Sequence, residues 1–421
     1  MTAEALSRPS GDAAPAPKTA APVVTGIGVT APNGLGTRAW WSAVLDGRSG
    51  IGPLTRFDAA SYPAKLAGEV PDFDPAAHIP GRLLPQTDHM TRLALTAAEE
   101  ALGDAGVDPA DLPDFGGGVV TAASAGGFEF GQRELEALWS KGGQFVSAYQ
   151  SFAWFYAVNT GQISIRNGLR GPSGVLVTEQ AGGLDAIAQA RRQVRKGVRL
   201  VVTGGVDSSL CPWGWTAHLA GGELSPGEDP GRAYRPFSAD ADGHVVGEGG
   251  ALLVLEDGTA ARERGAHRYG TIAGYASTFD PGPGTPGAPR LRDAAALSLR
   301  DAGVEPGDVD VVFADAAGRR TEDREESEAL AALFGPRGVP VTAPKTMTGR
   351  LAAGAGSLDV AAALLALRDQ VIPPTTGVTE PAADCPVDLV TEVRPARLRT
   401  ALVLARGRGG FNSAIVVRAA S

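Results

Sequence analysis

The stretch A-G-G-L-D-A-I-A at residues 181–188 recurs as A-G-S-L-D-V-A-A at residues 355–362. Both segments consist almost wholly of small and apolar residues, and a helix that is apolar all round is a buried helix. Each follows an apolar strand and a turn rich in Thr or Gly. Because the order of elements recurs together with the letters, the sequence predicts a duplicated α/β unit with one buried helix in each half.

A second pair of segments repeats in the same order. Residues 98–112 and 295–309 both read as a helix that ends at Gly, followed by a Pro-containing turn and a strand. The strands along the chain are continuously apolar, which is typical of sheets covered by helices on both faces. We therefore expect two related halves, residues 21–258 and 259–421, preceded by a disordered tail rich in Ala, Pro and Ser at residues 1–20.

The composition indicates a soluble globular protein rather than a binder of nucleic acid. The chain has 421 residues, 43% hydrophobic and 20% charged, with a formal net charge of −9. No clustered Lys/Arg stripe offsets that negative charge. The densest basic group admits two interpretations, a solvated helix end favoured by the helix dipole or a docking site for an acidic carrier protein. Its members are Arg191, Arg192, Arg195, Lys196 and Arg199.

The sequence predicts neither a metal nor a cofactor, and no membrane association. Cys211 and Cys385 provide no disulfide framework and no metal site, and we interpret both as structural thiols of a cytoplasmic protein. No apolar run approaches a membrane span, and no signal peptide opens the chain. The segment T-G-I-G-V-T-A at residues 25–31 imitates a dinucleotide fingerprint, but Pro32, Asn33 and Gly34 interrupt the helix that such a site requires.

A glutamine stands where a nucleophile is expected. The segment G-V-L-V-T-E-Q at residues 174–180 is a strand followed by a turn into the first buried helix. Enzymes often mount a nucleophile at such a turn, because it holds one side chain at a helix N-terminus. The residue in that place is Gln180, whose neutral amide is not a nucleophile.

Three long blocks resemble the β-ketoacyl synthases of the thiolase superfamily. The first, R-P-F-S-A-D-A-D-G-H-V-V-G-E-G-G-A-L-L-V-L-E, spans residues 235–256. The second, P-K-T-M-T-G-R-L-A-A-G-A-G, spans residues 344–356, and the closing Gly-rich loop G-R-G-G-F-N-S-A spans residues 407–414. The resemblance covers nearly the whole chain after residue 21. It implies an α/β thiolase-like fold, with duplicated halves in a five-layer αβαβα sandwich.

The resemblance also implies that the catalytic residues of the family are replaced in this chain. The family's nucleophilic Cys falls on Gln180, and its two His residues fall on Ala317 and Arg350. The family's Phe gate in the closing loop falls on Arg408. Gln180 cannot form a thioester, and Ala317 offers no hydrogen-bond donor to a developing enolate.

The loss of all three groups favours a silent site, so whether the chain is an enzyme by itself stays open. The alternative is a malonyl-acyl carrier protein decarboxylase that generates the primer, since some loading-domain synthases carry Gln in place of the Cys. Those domains keep both His residues, whereas Arg350 is a longer and differently shaped cation. Lys345 and Glu328 match family positions near the site, which implies that its internal frame survives.

Among silent condensing enzymes, the sequence resembles the chain length factors, or ketosynthase β subunits, of bacterial type II aromatic polyketide synthases. The turn T-E-Q-A-G-G-L-D-A and the segments at residues 149–166 and 204–215 carry this resemblance. It implies a heterodimer with a catalytic ketosynthase α subunit, which extends a poly-β-ketone chain from malonyl-acyl carrier protein. The polyketide chain grows in a tunnel at the subunit interface, and the silent subunit sets its length.

The residues that gate chain length in that family fall on Phe128, Gly131 and Leu135. Their spacing places them on one helical face. Gly131 has no side chain, and Leu135 replaces a residue that is Phe in members with shorter products. We therefore expect open volume beyond Phe128 and a long product of ten or more two-carbon units. Ordinary interface core is the alternative interpretation of this face, and a scaffold without a tunnel is a third interpretation of the chain.

An aromatic concentration follows the gate segment. It admits two interpretations, plain core packing or a subunit interface. Its members are Phe145, Tyr149, Phe152, Trp154, Phe155 and Tyr156.

Overall fold

A computed structural model describes residues 21–282, 287 and 289–420. The predicted tail at residues 1–20 lies outside the described residues. The helices are α1 (Thr37–Leu45), α2 (Pro75–His78), α3 (His89–Asp104), α4 (Phe128–Lys141), α5 (Gln150–Ala153), α6 (Val158–Asn167), α7 (Gly182–Arg195), α8 (Pro212–Ala220), α9 (Gly258–Glu263), α10 (Leu291–Ala302), α11 (Arg320–Phe334) and α12 (Ala355–Asp369). The strands are β1 (Val23–Ala31), β2 (Gly34–Leu35), β3 (Ile51–Pro53), β4 (Leu66–Gly68), β5 (Gly117–Ala122), β6 (Ser173–Leu176), β7 (Leu200–Asp207), β8 (Val246–Gly247), β9 (Gly249–Glu256), β10 (Gly270–Phe279), β11 (Val311–Phe313), β12 (Pro340–Thr342), β13 (Val371–Ile372), β14 (Asp388–Leu389), β15 (Arg394–Pro395), β16 (Thr400–Gly407) and β17 (Phe411–Ala419).

The strand order repeats, as the sequence duplication predicts. The first set runs β6-β5-β7-β9-β1, and the second runs β12-β11-β16-β17-β10 with β14 added at its edge. In each set the first three strands are parallel and the last two pairings are antiparallel. The two sets meet where β1 pairs with β10 over only two residue pairs, Val23 with Thr271 and Val24 with Gly270.

The strands separate three apolar cores, and this produces the predicted five layers. Along β9, Leu253 and Leu255 face a central core that contains α7 and α12. The alternate residues Leu252 and Val254 face an outer core formed with α3, because successive side chains of a strand point to opposite faces. The second set repeats this arrangement, with α10 on its outer face and α12 on its inner face. The thiolase-like αβαβα fold is therefore confirmed.

The two central helices differ in how completely they are buried. Every residue of α12 from Ala355 to Leu367 is buried, as expected of a helix that is apolar all round. In the first two turns of α7 only Asp185 is partly exposed, but the last turn carries Arg192 and Arg195 on the surface. The prediction of a wholly buried helix thus holds for α12 and for the N-terminal part of α7, which is the part that meets the candidate site.

The glycines that imitate a dinucleotide fingerprint serve helix packing instead. A Cβ at Gly28 of β1 would lie 1.9 Å from the carbonyl oxygen of Ala97 in α3. A Cβ at Gly274 of β10 would lie 2.2 Å from the carbonyl oxygen of Ser298 in α10. A helix therefore touches strand backbone at corresponding places in both halves, and only glycine allows that approach.

Three further expectations concern cysteines, metals and membranes. Cys211 and Cys385 are both free and buried, and burial raises the pKa of the Cys211 thiol to about 11. Within residues 21–282, 287 and 289–420, no group of His, Cys, Asp and Glu is placed to hold a metal ion. None of the helices in the same ranges is both long and apolar enough to cross a membrane.

Candidate functional site

The turn before α7 has the predicted geometry of a nucleophile mount. Strand β6 ends at Leu176, and a 3-10 turn at Glu179–Ala181 leads into the helix. Glu179 adopts a φ of 53°, a strained backbone conformation for a residue other than glycine. Gln180 follows it and is 4% exposed. The fold thus retains the strained turn and the buried position, but the side chain held there is an amide.

The structure brings the other two replaced positions to the same place. Ala317 and Arg350 line one cavity of about 440 Å³, together with Glu179 from the strained turn. Ala317 lies in the loop between β11 and α11, and Arg350 lies in the segment before α12. Two of the three positions named by the resemblance therefore line one cavity, and Glu179, the neighbour of the third position, lines it as well.

Arg350 is held by the protein itself. Its Nη2 lies 3.0 Å from Oδ1 of Asp315 and donates to the carbonyl oxygen of Arg406 at 3.2 Å. Its Nη1 donates to the carbonyl oxygens of Asp315 at 3.0 Å and Ala316 at 3.4 Å. The desolvation cost of burial acts against the cation, but the Asp315 carboxylate outweighs it and holds the pKa of Arg350 well above its ordinary value. A guanidinium with these contacts is not free to stabilise an enolate.

Asp315 is the centre of this buried cluster. Its Oδ1 also accepts the backbone N–H of Arg406 at 2.8 Å, and its Oδ2 lies 3.3 Å from Nε of Arg406. Burial alone would raise the pKa of Asp315, but the charges of Arg350, Arg406 and Lys345 together hold it well below its ordinary value. A carboxylate with two guanidinium partners stays ionised and fixes both of them.

Lys345 belongs to the same frame, where the family resemblance places it. Its Nζ donates to the carbonyl oxygens of Ala314 at 2.7 Å and Asp315 at 3.1 Å. The same atom lies 2.7 Å from Oδ2 of Asp359 in α12. Lys345 therefore fastens the loop after β11 to the central helix.

Glu328 does not lie in this frame, so the expectation for it is corrected. Its side chain is exposed on α11 and pairs with Arg324 at 3.0 Å. The buried carboxylate of the helix is Glu326, whose two oxygens accept the backbone N–H groups of Asp315 and Ala316, both at 2.8 Å. A shift of two residues moves a side chain by about 200° around a helix, so a match of letters alone does not fix which Glu faces inward.

The loop that carries Ala317 is fixed from three sides. The hydroxyl of Tyr234 donates to the carbonyl oxygen of Ala316 at 2.6 Å. Asp323 accepts the backbone N–H groups of Gly318 at 3.1 Å and Phe237 at 2.9 Å. Burial raises the pKa of Asp323 to about 7. Sequence reasoning missed these positioning residues, although Tyr234 and Phe237 lie in or beside the quoted block at residues 235–256.

The closing Gly-rich loop is tied to the strained turn. The backbone N–H of Arg408 donates to Oε2 of Glu179 at 3.1 Å, and its Nη2 pairs with Glu223 at 3.2 Å. A Cβ at Gly407 would lie 2.2 Å from the carbonyl oxygen of Thr178. Arg408 stands where the resemblance expects a Phe gate, and its guanidinium reaches across to Glu223.

Two histidines that the sequence analysis did not consider line the cavity. They are His218 in α8 and His244 in the loop before β8. Burial lowers the pKa of His218 to about 4, and burial together with the nearby charge of Arg350 holds the pKa of His244 well below its ordinary value. Nε2 of His218 lies 2.7 Å from the hydroxyl oxygen of Ser209. Both imidazoles are therefore neutral at physiological pH.

Helix α4 carries the three predicted gate residues. Phe128 and Leu135 are half-buried and Gly131 is buried, in keeping with one shared face. Asp88 fixes the start of the helix, because its Oδ2 accepts the backbone N–H of Phe130 at 2.8 Å. Burial raises the pKa of this Asp88 carboxyl to about 6.

The expected open space at Gly131 is not present. A Cβ on this residue would lie 2.9 Å from Cδ1 of Trp154 and 3.2 Å from its Nε1. The indole of Trp154 thus occupies the volume that the missing side chain vacates. The expectation that the missing side chain of Gly131 leaves open volume beyond Phe128 was therefore wrong. The space is taken by a residue that lies more than twenty positions away in the sequence.

The aromatic concentration is mostly exposed, so plain core packing is wrong. Phe145 is 56% exposed and Phe155 is 48% exposed, and Phe152 is the partly buried exception. The exposed large apolar residues between residues 138 and 177 are Leu138, Trp139, Phe145, Tyr149, Trp154, Phe155, Tyr156, Ile165 and Val177. A concentration of exposed apolar side chains in one segment indicates an interaction site.

The basic group divides into one buried and several exposed members. Arg191 is 5% exposed, and its Nη1 pairs with Asp301 at 2.6 Å. Arg192, Arg195, Lys196 and Arg199 are exposed at and beyond the C-terminus of α7, which fits a solvated helix end. This surface lies at the opposite end of α7 from Gln180.

The fold and this site define a condensing-enzyme architecture, in which Gln180, Ala317 and Arg350 stand where the sequence resemblance expects a Cys and two His. The family model of the beta-ketoacyl synthase N-terminal domain matches residues 21–261, and that of the C-terminal domain matches residues 269–379. The chain belongs to the beta-ketoacyl synthase family. Within that family it is a ketosynthase beta subunit, or chain length factor, of the type II polyketide synthase kind.

Individual relatives support this placement. The chain is 60% identical to the actinorhodin polyketide putative beta-ketoacyl synthase 2 of Streptomyces coelicolor, over 94% of this chain and 98% of the relative. It is also 60% identical to the tetracenomycin polyketide synthase ketoacyl synthase beta subunit of Streptomyces glaucescens, over 96% and 99%. The alpha subunit of the tetracenomycin system is 35% identical, over 94% and 96%.

Solved structures show the same fold. The ishigamide ketosynthase/chain length factor matches with a TM-score of 0.85 and 29% identity, over 96% of this chain and 100% of that one. A type II polyketide synthase acyl carrier protein in complex with its ketosynthase matches with a TM-score of 0.86 and 28% identity, over 96% and 100%.

Proposed function

We propose that this chain is the non-catalytic subunit of a heterodimeric ketosynthase and that it sets the length of a poly-β-ketone chain. The observation that carries the proposal is the state of the site. A buried amide, Gln180, occupies the nucleophile position, and Arg350 is fully engaged with Asp315 and backbone carbonyls. A chain with this site forms no thioester, so its contribution to synthesis is spatial.

The catalytic partner is a ketosynthase α subunit, which supplies the thiol and both imidazoles. The exposed apolar residues between 138 and 177 form the surface that pairs with it. Strand β6, which ends at Leu176 within this surface, is paired only with β5 among the described strands and leaves one edge open. An open edge and an apolar patch are features that proteins cover by association. An obligate interface of this kind buries about 2,000–5,000 Å².

Enclosure is the physical means by which the subunit acts. A poly-β-ketone is reactive, and a tunnel between the subunits excludes water and restricts its conformers. The closed end of the tunnel then sets a maximum length by steric exclusion. Phe128 and Leu135 lie on the face of α4 that ends this space, beside Trp154. Because Leu135 is smaller than Phe, we propose a long product of ten or more two-carbon units.

Co-expression tests the proposal directly. The chain is produced with a ketosynthase α subunit and acyl carrier protein, and the released polyketides are identified by mass. Intact-protein mass spectrometry then locates the acyl groups. The α subunit is expected to carry the acyl chain, while this subunit keeps its unmodified mass in both the native form and Gln180→Ala. Acylation of this subunit would refute the non-catalytic role.

Release of CO₂ from malonyl-acyl carrier protein by the purified chain alone distinguishes the primer-forming alternative. That reaction needs donors aimed at an enolate oxygen, each typically worth a rate factor of about 10²–10³. Ala317 supplies none, and the guanidinium of Arg350 donates to Asp315 and to backbone carbonyls. We therefore expect no release above the uncatalysed rate, and rapid release that is lost in Gln180→Ala would establish the alternative.

A further inference from the structure

Three neighbouring aromatic rings lie between the cavity at the silent site and the proposed interface. The ring of Phe128 lines the cavity and stacks on Trp213, with centroids 4.6 Å apart and planes 20° apart. The rings of Trp213 and Trp154 are tilted against each other, with centroids 6.0 Å apart. Trp154 is 42% exposed and belongs to the apolar surface. The gate residue Phe128 is thus a shared wall between the cavity and the aromatic layer beneath the interface.

The cavity is large enough to hold part of a ligand. Its volume of about 440 Å³ falls within the range of small-molecule sites. The residues that keep it open are small: Ser124, Ala125, Gly214, Ala217 and Ala317. At the far side from Phe128 it is bounded by an ion-pair chain, in which Glu223 pairs with Arg408 at 3.2 Å and Arg319 at 3.5 Å.

Two imidazoles of the lining can bind a ligand rich in carbonyl groups, and the carboxylates that share the lining disfavour an anionic ligand. His218 and His244 are neutral, and a neutral imidazole offers one N–H donor and one acceptor nitrogen. His218 uses Nε2 for the Ser209 hydroxyl. The ring of His244 makes no hydrogen bond among the described residues, and its centroid lies 6.4 Å from that of the Tyr234 ring. The cations of the site, Arg350 above all, are already paired with carboxylates.

We propose that this cavity receives the distal end of the poly-β-ketone chain once it has grown past Phe128. A poly-β-ketone carries a carbonyl acceptor on every second carbon and enolises to a donor, so neutral His218 and His244 can bind it in either form. The proposal rests on the proposed length-setting function and assigns the vestigial site a use. No covalent step is involved, because the chain end is bound and not transformed.

Matched substitutions on one helix test this binding site. Ala217 and Ala220, one turn apart on α8, are both exposed, but only Ala217 lines the cavity. Ala217→Phe and Ala220→Phe are each co-expressed with the ketosynthase α subunit and carrier protein. We expect Ala217→Phe to shorten the product by at least one two-carbon unit and Ala220→Phe to leave its length unchanged. Co-purification with the α subunit verifies that both variants fold.

A second variant removes the donor without filling the cavity. His244→Phe keeps a ring of similar size, and we expect it to lower the yield of the longest product relative to shorter ones. The cavity proposal is overturned if Ala217→Phe gives a product of native length and His244→Phe leaves the product distribution unchanged. If Leu135→Phe still shortens the product in that case, the length-setting function stands. If none of these variants changes the length, the proposed function falls as well.

Discussion

Nη2 of Arg350 lies 3.0 Å from Oδ1 of Asp315, and both side chains are buried. Arg350, which the sequence resemblance places where the family has a catalytic His, is thereby part of an internal ion pair. Its charge is balanced inside the protein rather than presented to a substrate. This relationship explains how the fold can lose its chemistry and remain stable, since the added cation has a carboxylate partner in place.

Removal of Arg350 is expected to destabilise the protein. Loss of one partner of a buried ion pair typically costs about 3–5 kcal/mol of the free energy of unfolding. Because Asp315 keeps Arg406 as a partner at 3.3 Å, we expect Arg350→Ala to cost an amount at the low end of this range. Denaturant unfolding of the heterodimer measures the free energy. Arg324→Ala, which breaks an exposed pair with Glu328, is the control and is expected to cost at most about 1 kcal/mol. Equal losses in the two variants would contradict the role of the buried pair.

Enlargement of the gate face is expected to shorten the product. Leu135→Phe adds volume at a half-buried position of α4, and mass analysis of the released polyketide reports the length. Gly131→Thr behaves differently, because its new side chain meets the indole of Trp154 at 2.9 Å. We expect Gly131→Thr to lower heterodimer yield unless it is combined with Trp154→Ala. A native product length in active Leu135→Phe would remove Leu135 from the gate.

A charge on the exposed aromatic surface is expected to abolish pairing with the α subunit. Phe155→Glu places a carboxylate where 48% of a phenyl side chain is exposed, and an unpaired charge in an interface core costs several kcal/mol. Co-purification of a tagged α subunit measures the effect. Phe115→Glu is the matched control, since Phe115 is 69% exposed but lies outside residues 138–177. Normal pairing by Phe155→Glu would place the interface elsewhere.

Asp323 is expected to make the stability depend on pH. Burial raises the pKa of this carboxyl from 3.8 to about 7, so the folded state holds its proton where the unfolded state has released it. The contribution of Asp323 to the free energy of unfolding is therefore complete below pH 4. This contribution is lost as the pH rises to about 7, at a rate of at most about 1.4 kcal/mol per pH unit. Unfolding free energies at pH 5 and pH 8 measure this loss. Asp323→Asn should show a smaller difference between the two pH values, and an unchanged difference would contradict the assignment.

Local patterns predicted most of the framework because they report on short-range physics. The repeated apolar helices and the continuous strands identified the duplication, and both central helices, α7 and α12, occur where they were expected. The turn before Gln180 was also predictable, since a strand and a helix separated by only five residues leave few backbone paths. The prediction that Glu328 faces the site was wrong. It rested on a match of residue type in the sequence, which does not determine the face of the helix on which that residue lies.

Contacts between distant segments were beyond the reach of the sequence. The indole of Trp154 fills the space at Gly131, although the rest of α4, a 3-10 turn and α5 separate the two residues in the sequence. His218 and His244 come from different elements and meet only in the cavity. The apolar segment around Phe155 was equally compatible with a core and with an interface, since aromatic residues suit both.

The duplicated α/β architecture, the family and the lack of a thiol at the head of the first central helix can all be predicted from the amino-acid sequence. These follow from periodicity and from single side chains, whose chemistry does not depend on distant neighbours. The folded structure was needed to show that Arg350 is neutralised by Asp315, that Phe128 lines the cavity, and which aromatic rings remain exposed. Charge pairing, cavity volume and solvent exposure are set by where the whole chain packs.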